Sequence, residues 1–152
     1  MPSTEIEKMP LEDWEHTFNV NVTGYFKMCR AAKAHLIKSK GNIINNASIA
    51  GLHSYVIGRS YAYSASKAAV IQFSRQMAKN YGEYGVRVNC ICPGIIKTKM
   101  LGDRNPAEYA KRVPLGFIGE PKDVANVVAF LASDEASYLT GAVIPIDGGV
   151  TL

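Results

Sequence analysis

Long apolar runs, paired cysteine motifs and clustered charge are all missing from this chain. No apolar stretch approaches the ~20 residues that a membrane-spanning helix needs. The three cysteines, Cys29, Cys90 and Cys92, are an odd number without Cys-x-x-Cys or Cys/His metal spacing. That speaks against a disulfide framework and against a zinc site or any other metal site. The expectation is three reduced thiols in or near a core, as in a cytoplasm. The segment from Met1 to Leu11 is polar and acidic, unlike a signal peptide or a basic transit peptide. The Asn-x-Ser/Thr triplets at Asn21 and Asn46 are therefore read as chance matches to the glycosylation rule. The 17 basic residues give a net charge of +4 but are scattered, so no basic stripe offers itself to nucleic acid. What is present is ordinary for a soluble domain with a real core: 152 residues, 47% apolar and 20% charged.

Helix and strand patterns alternate along the chain. Leu11, Trp14, Phe18, Val22, Tyr25, Cys29, Ala32 and Leu36 step by threes and fours, which predicts one long amphipathic helix. Gly41 closes it, and Asn42–Asn45 reads as a strand. Residues 51–61 read as a loop. A second helix is expected over Tyr63–Tyr81, stopped by Gly82. Val86–Cys92 reads as a strand ended by Pro93-Gly94, with Cys90 and Cys92 on one face. Lys97–Gly119 is irregular, with a short helix at Ala107–Val113, and has the length of a lid or binding loop. Pro121 opens a third helix with Val124, Val127, Val128 and Leu131 on one face. Gly141–Ile146 is a final strand. This order predicts an α/β domain with a parallel sheet. Three strands make an incomplete sheet, because a parallel sheet normally has both faces covered and both edges managed.

Tyr63 and Lys67 stand at i and i+4, one helical turn apart on one face. A nearby ammonium favours the phenolate, so the expectation is a tyrosine pKa lowered from about 10 and a group able to exchange a proton near neutrality. With eight tyrosines in the chain, chance readily supplies such a pair, and context must decide. Ser48 follows directly on a predicted strand, where α/β sheets place ligand chemistry, although serines there are also common turn formers. Asn21 interrupts the first helix with a poor helix former, either as a plain surface residue or as a polar group kept to bind water or backbone. Tyr61 competes with Tyr63, but its i+4 residue is Ala65.

Taken together, these motifs resemble the short-chain dehydrogenase/reductase family, classical type. Asn21-Val22-Thr23-Gly24 is similar to the family's Asn-x-x-Gly helix motif. Gly41–Asn45 through Ser48-Ile49-Ala50-Gly51 is similar to the strand carrying its serine. Tyr63-Ser64-Ala65-Ser66-Lys67 resembles its active-site pair. Arg87-Val88-Asn89 through Pro93-Gly94-Ile95-Ile96-Lys97-Thr98 resembles the next strand and its nicotinamide-side loop. Tyr138-Leu139-Thr140-Gly141 through Asp147-Gly148-Gly149 resembles the last strand and its ending. Asn45-Asn46-Ala47 mimics the family's Asn-Asn-Ala-Gly motif, but the serine that follows assigns it to the serine strand.

The resemblance implies a Rossmann-like, doubly wound parallel sheet of which residues 1–152 form the C-terminal portion, a single partial domain. It implies hydride transfer between NAD or NADP and a small-molecule carbonyl or secondary alcohol. Tyr63 would be the general acid or base and Ser48 the hydrogen-bond partner of the substrate oxygen. Lys67 would tune Tyr63 and bind the ribose, and Asn21 would hold a proton-passing water. The cofactor side would comprise Tyr63, Lys67, Pro93, Gly94, Ile96 and Thr98. Met100, Leu101, Leu115 and Phe117 would give the substrate loop an apolar lining. The family's glycine-rich phosphate turn, its selector between NAD and NADP and four of its strands have no counterpart here. The expectations that follow are poor dinucleotide binding by this chain alone and a homo-oligomer through residues 11–38 and 63–81, in the cytoplasm, without nucleic-acid or membrane partners. The competing expectation is a truncated, non-catalytic assembly module.

Overall fold

The structure, a computed structural model, describes residues 5–54, 61–102 and 105–152. Residues 55–60 of the expected loop lie outside the described residues. The elements are α1 (Leu11–Phe18), α2 (Gly24–Ser39), β1 (Asn42–Asn46), α3 (Tyr61–Tyr81), β2 (Arg87–Pro93), α4 (Pro106–Ala110), α5 (Pro121–Ala132) and β3 (Val143–Ile146). The three strands form one parallel sheet in the order β1-β2-β3. Ile44 lies opposite Asn89 in one ladder, and Ile91 opposite Ile144 in the other.

Helices cover both faces of the sheet, because successive strand residues point to opposite sides. On one face Val88, Cys90 and Cys92 of β2 pack against Val70, Ile71, Met77 and Ala78 of α3, with Cys29 of α2 joining them. On the other face Ile91 packs against Leu131 of α5, bordered by Val124, Val127 and Val128. All three cysteines are buried free thiols. Both cores are apolar, so area removed from water supplies the main attraction between layers. Polar clasps then fix the register. Asn89, fully buried, donates from Nδ2 to the Leu139 carbonyl at 2.8 Å and accepts the Ala142 N–H at 3.1 Å. Arg87 donates to the Leu131 and Ser133 carbonyls at 2.9 and 3.1 Å, capping the C-terminus of α5. The Arg87-Val88-Asn89 motif is thus structural.

Several boundaries differ from the sequence expectation for identifiable reasons. The long first helix is interrupted by a π-helical turn at Asn19–Thr23, where Gly24 N–H reaches back to the Asn19 carbonyl. Asparagine and the β-branched Val20, Val22 and Thr23 are poor α-formers, so the wider turn gathers where propensity is weakest. Cys29 is the single buried residue of α2, and Leu11 and Trp14 stay exposed. The left-handed residue that ends α2 is Lys40, not Gly41, and Gly41 N–H closes on the Leu36 carbonyl at 3.0 Å. That pairing forms a Schellman motif. After α3 the left-handed position is Gly85 rather than Gly82, with Val86 N–H bonded to the Tyr81 carbonyl at 3.2 Å. Helix α3 already includes Tyr61 and Ala62, two residues ahead of where its small-residue pattern begins. Helix α4 is shorter than expected and is capped by Asn105, whose Oδ1 accepts the Ala107 N–H at 3.0 Å.

Strand β1 is an edge. Between it and α2 runs an open groove of about 480 Å³, bordered by Val20, Tyr25, Met28, Cys29, Leu36 and Ile43. Among the described residues no helix is long and apolar enough to cross a membrane.

Candidate active site

Parallel strands deliver their C-terminal ends to one edge of the sheet, and the residues singled out from sequence follow those ends. Ser48 comes two residues after β1, Gly94 directly after β2 and Asp147 directly after β3. The chains leaving β2 and β3 touch. A Cβ on Gly94 would sit 2.6 Å from the Asp147 Cβ, and Gly94 N–H bonds to the Ile146 carbonyl at 2.9 Å. Only glycine permits that approach.

Ser48 opens a short 3₁₀ turn, Ile49–Gly51, and its Oγ accepts the Ala50 N–H at 3.1 Å. The turn lies flat on α3. A Cβ on Gly51 would meet Ala68 N and the Lys67 carbonyl carbon, each at 2.6 Å. The serine loop and the lysine turn are therefore pressed together, backbone on backbone.

Lys67 is only 9% exposed. Its Nζ donates to the Asn46 carbonyl at 3.0 Å and lies 5.6 Å from the centre of the Tyr63 ring. Burial holds Lys67 below the usual lysine range, and the Cys90 and Cys92 thiols on β2 work in the opposite direction. An ammonium has three donors, and among the described residues one is used. The α1–α2 side contributes two contacts. Asn21, in the π-turn, donates from Nδ2 to Ser66 Oγ at 3.0 Å, and Ser66 Oγ donates to the Tyr63 carbonyl at 2.8 Å. Tyr25 donates its hydroxyl to the same Asn46 carbonyl at 2.8 Å, and its ring centre lies 6.0 Å from Lys67 Nζ. Burial pushes the Tyr25 phenol above its ordinary range.

The structure thus brings Asn21, Tyr63 and Lys67 into one cluster and presses the Ser48 turn against it. Pro93, Gly94, Ile96 and Thr98 line the neighbouring strand end. Ile96 is held by bridge pairing with Gly119, with Lys97 N–H on the Gly119 carbonyl at 2.8 Å, while Thr98 is exposed. Among the described residues no hydrogen bond joins this segment to the Tyr63–Lys67 cluster. Met100, Leu115 and Phe117 are exposed at 79%, 65% and 56%, and Leu101 is half-buried. Sequence reasoning missed Tyr25 and Ser66. The available signal was spacing, since Tyr25 falls one turn after Asn21 and Ser66 lies beside Lys67.

A family model described as "Enoyl-(Acyl carrier protein) reductase" matches residues 1–151. The chain is 43% identical over 145 residues to meso-2,3-butanediol dehydrogenase of Serratia marcescens, a match covering 93% of this chain and 57% of that protein. It belongs to the short-chain dehydrogenase/reductase family. A crystal structure of a short-chain type dehydrogenase/reductase from Mycobacterium marinum superposes with a TM-score of 0.91 at 33% identity, covering 98% of this chain and 60% of that one. The structure of 4-hydroxyisoleucine dehydrogenase complexed with NADH gives a TM-score of 0.87 at 32% identity, over 98% of this chain and 64% of that one. This short-chain dehydrogenase/reductase chain therefore spans less than two thirds of the length of those relatives. The parallel sheet with helices on both faces is the Rossmann-like arrangement expected of the family.

Proposed function

We propose that this chain carries the proton-transfer and nicotinamide-side part of an NAD(P)-dependent oxidoreductase acting on a small carbonyl compound or secondary alcohol. One observation carries the reading: Lys67, buried and one helical turn from Tyr63, is tied to the Asn46 carbonyl two residues before Ser48. A structural lysine would more commonly hold its charge in water or beside a carboxylate.

The residues fit a dinucleotide at its nicotinamide end. Among the described residues Lys67 has two N–H groups left after bonding Asn46, which suits a ribose diol. When bound, NAD or NADP supplies a hydride to the reacting carbon or accepts one from it. Tyr63 gives its proton to the substrate oxygen in reduction and takes it back in oxidation. Lys67 offsets the charge that develops on the Tyr63 oxygen as the proton moves. Ser48 accepts from Ala50 and keeps its own hydrogen to donate to the substrate oxygen. Asn21 uses Nδ2 on Ser66 and keeps Oδ1 for a water beside Lys67. Pro93, Gly94, Ile96 and Thr98 would border the nicotinamide, with Thr98 and the Ile96 backbone orienting its carboxamide. These groups address the half of the cofactor that NAD and NADP share. Met100, Leu115 and Phe117 give the substrate an apolar flank. Residues 1–152 act as a single partial domain, in a reducing cytoplasm that suits three free thiols.

The test is turnover of a ketone, with NAD(P)H titration by fluorescence, in this chain completed by the N-terminal part of the butanediol dehydrogenase relative. Tyr63→Phe is expected to lower kcat by roughly 10²–10⁴-fold with cofactor binding kept, and Tyr61→Phe to do far less. Equal losses at both positions would overturn the assignment. The assembly proposed is a homo-oligomer through residues 11–38 and 63–81, where Phe26 and Met28 of α2 are 48% and 72% exposed. Sedimentation equilibrium checks it, and a monomer at all concentrations contradicts it.

A further inference from the structure

Two serine–asparagine clasps add to the apolar packing that holds helix α3 to the rest of the molecule. At Ser74, Oγ accepts from Asn45 Nδ2 of β1 at 2.8 Å and donates to the Val70 carbonyl at 2.7 Å. At Ser66, Oγ accepts from Asn21 Nδ2 of the π-turn at 3.0 Å and donates to the Tyr63 carbonyl at 2.8 Å. Both serines are buried, with exposures of 1% and 0%. The hydrogen bonding is alike, but the surroundings differ. Ser74 joins helix to strand within the core. Ser66 joins the catalytic turn to the one stretch where the first helix departs from α geometry.

We infer that Ser66 is a positioning residue, whose hydroxyl locks the π-turn at Asn21 onto the Tyr63–Lys67 turn and seals the gap between them. The inference rests on the proposed roles of Tyr63, Lys67 and Asn21. A hydroxyl that accepts one bond and donates another satisfies both neighbours at once. Without it the Asn21 amide loses its acceptor, and a part-buried donor without a partner costs about 1–3 kcal/mol unless water reaches it. Two outcomes relieve that cost: further water enters beside Lys67, or the π-turn relaxes. Either one loosens the packing that limits how much water reaches Lys67. Among the described residues, the groups facing Lys67 are Tyr63 on its own helix, Tyr25 from α2, the Asn46 carbonyl from β1, and the Cys90 and Cys92 thiols from β2. None is a carboxylate, so wetting is the change that Lys67 registers.

The experiment is an NMR titration of the Lys67 side-chain resonances in the 152-residue chain, with thermal unfolding measured alongside. Ser66→Ala is expected to move the Lys67 midpoint up toward that of an exposed lysine. Ser66→Thr, which keeps the hydroxyl, restores it. Ser74→Ala is expected to lower Tm without moving that midpoint. Asn21→Ala reproduces the Ser66→Ala shift, and the double variant goes no further than either alone. If Ser66→Ala does not fold, Ser66→Cys, which keeps the volume but hydrogen-bonds weakly, shows a smaller shift of the same sign. A Lys67 midpoint unchanged by loss of the Ser66 hydroxyl, or moved equally by Ser74→Ala, overturns the proposal. Loss of the functional reading shows itself separately, as a completed chain that neither binds NAD(P)H nor reduces a ketone while the Lys67 titration still responds to Ser66.

Discussion

Helix α3 and the α1–α2 segment are both long and both bring residues to the candidate site, yet they are packed to very different degrees. Helix α3 buries Ala62, Ser66, Lys67, Val70, Ile71, Ser74, Met77 and Ala78, whereas α1 buries nothing and α2 only Cys29. The polar residues of α3 are immobilised by a hydrophobic layer on the sheet. Those of α1–α2 reach the site as single side chains, Asn21 and Tyr25, from a helix that keeps an open flank. The proton-transfer role proposed for Tyr63 and Lys67 needs a fixed geometry, and the better-packed helix is the one that carries them.

The largest expected effect tests that contrast directly. Ile71→Ala removes a side chain only 4% exposed in the α3 core and should cost roughly 2–5 kcal/mol. Met28→Ala on the open flank of α2 should stay within about 0.5 kcal/mol. Urea unfolding of both variants checks the difference, and similar losses would show α2 to be covered in solution. A smaller pair uses one chemical change with opposite signs. Gly51→Ala drives a methyl to 2.6 Å from α3 backbone atoms, with an expected cost of about 1–3 kcal/mol. Gly24→Ala sits in helical backbone with nothing nearer than 3.8 Å and should gain up to about 1 kcal/mol. Opposite shifts in Tm are the expected readout.

The smallest effect is electrostatic. Folding lowers the Lys67 pKa through burial, so between that lowered value and the ordinary 10.5 the unfolded chain binds more protons than the folded one. Stability contributed at this site therefore rises with pH across that window, and the ammonium's burial penalty is fully present below it. Lys67→Met should remove this alkaline rise and stabilise the fold at neutral pH, while abolishing any turnover. Unfolding free energies at several alkaline pH values decide the matter. A wild-type profile retained in Lys67→Met would mean that Lys67 is solvated.

The sequence made the fold legible where periodicity and punctuation agree. Pro121 and the Val124–Leu131 spacing mark α5, and the Val86–Cys92 run marks β2 to within one residue. The i, i+4 pair correctly put Tyr63 and Lys67 on one turn. Helix ends were less legible. Lys40 takes a left-handed conformation that sequence reserves for glycine, because the bonds of the closing turn outweigh its intrinsic cost. The exposed state of Leu11 and Trp14 was illegible too, since an apolar stripe announces a face but not what covers it. The contributions of Ser66 and Tyr25 depend on contacts across 45 and 21 residues; spacing sets each beside a candidate residue, but no local pattern names so distant a partner.

Asn89 has one more consequence, which concerns the order of events in folding. Its amide reaches residues 50 and 53 positions away, Leu139 and Ala142, and neither contact can form until α5 has turned the chain back along the sheet. The β1–α3–β2 unit closes a loop of only slightly shorter length, Asn42 to Arg87 against Cys90 to Val143, and rewards it at once with the buried core under α3. Contacts of long sequence separation pay their loop entropy before they are rewarded. The expected kinetics place β1, α3 and β2 in the early structure. Strand β3 is zipped onto β2 late, with the buried amide of Asn89 waiting as a template for its approach.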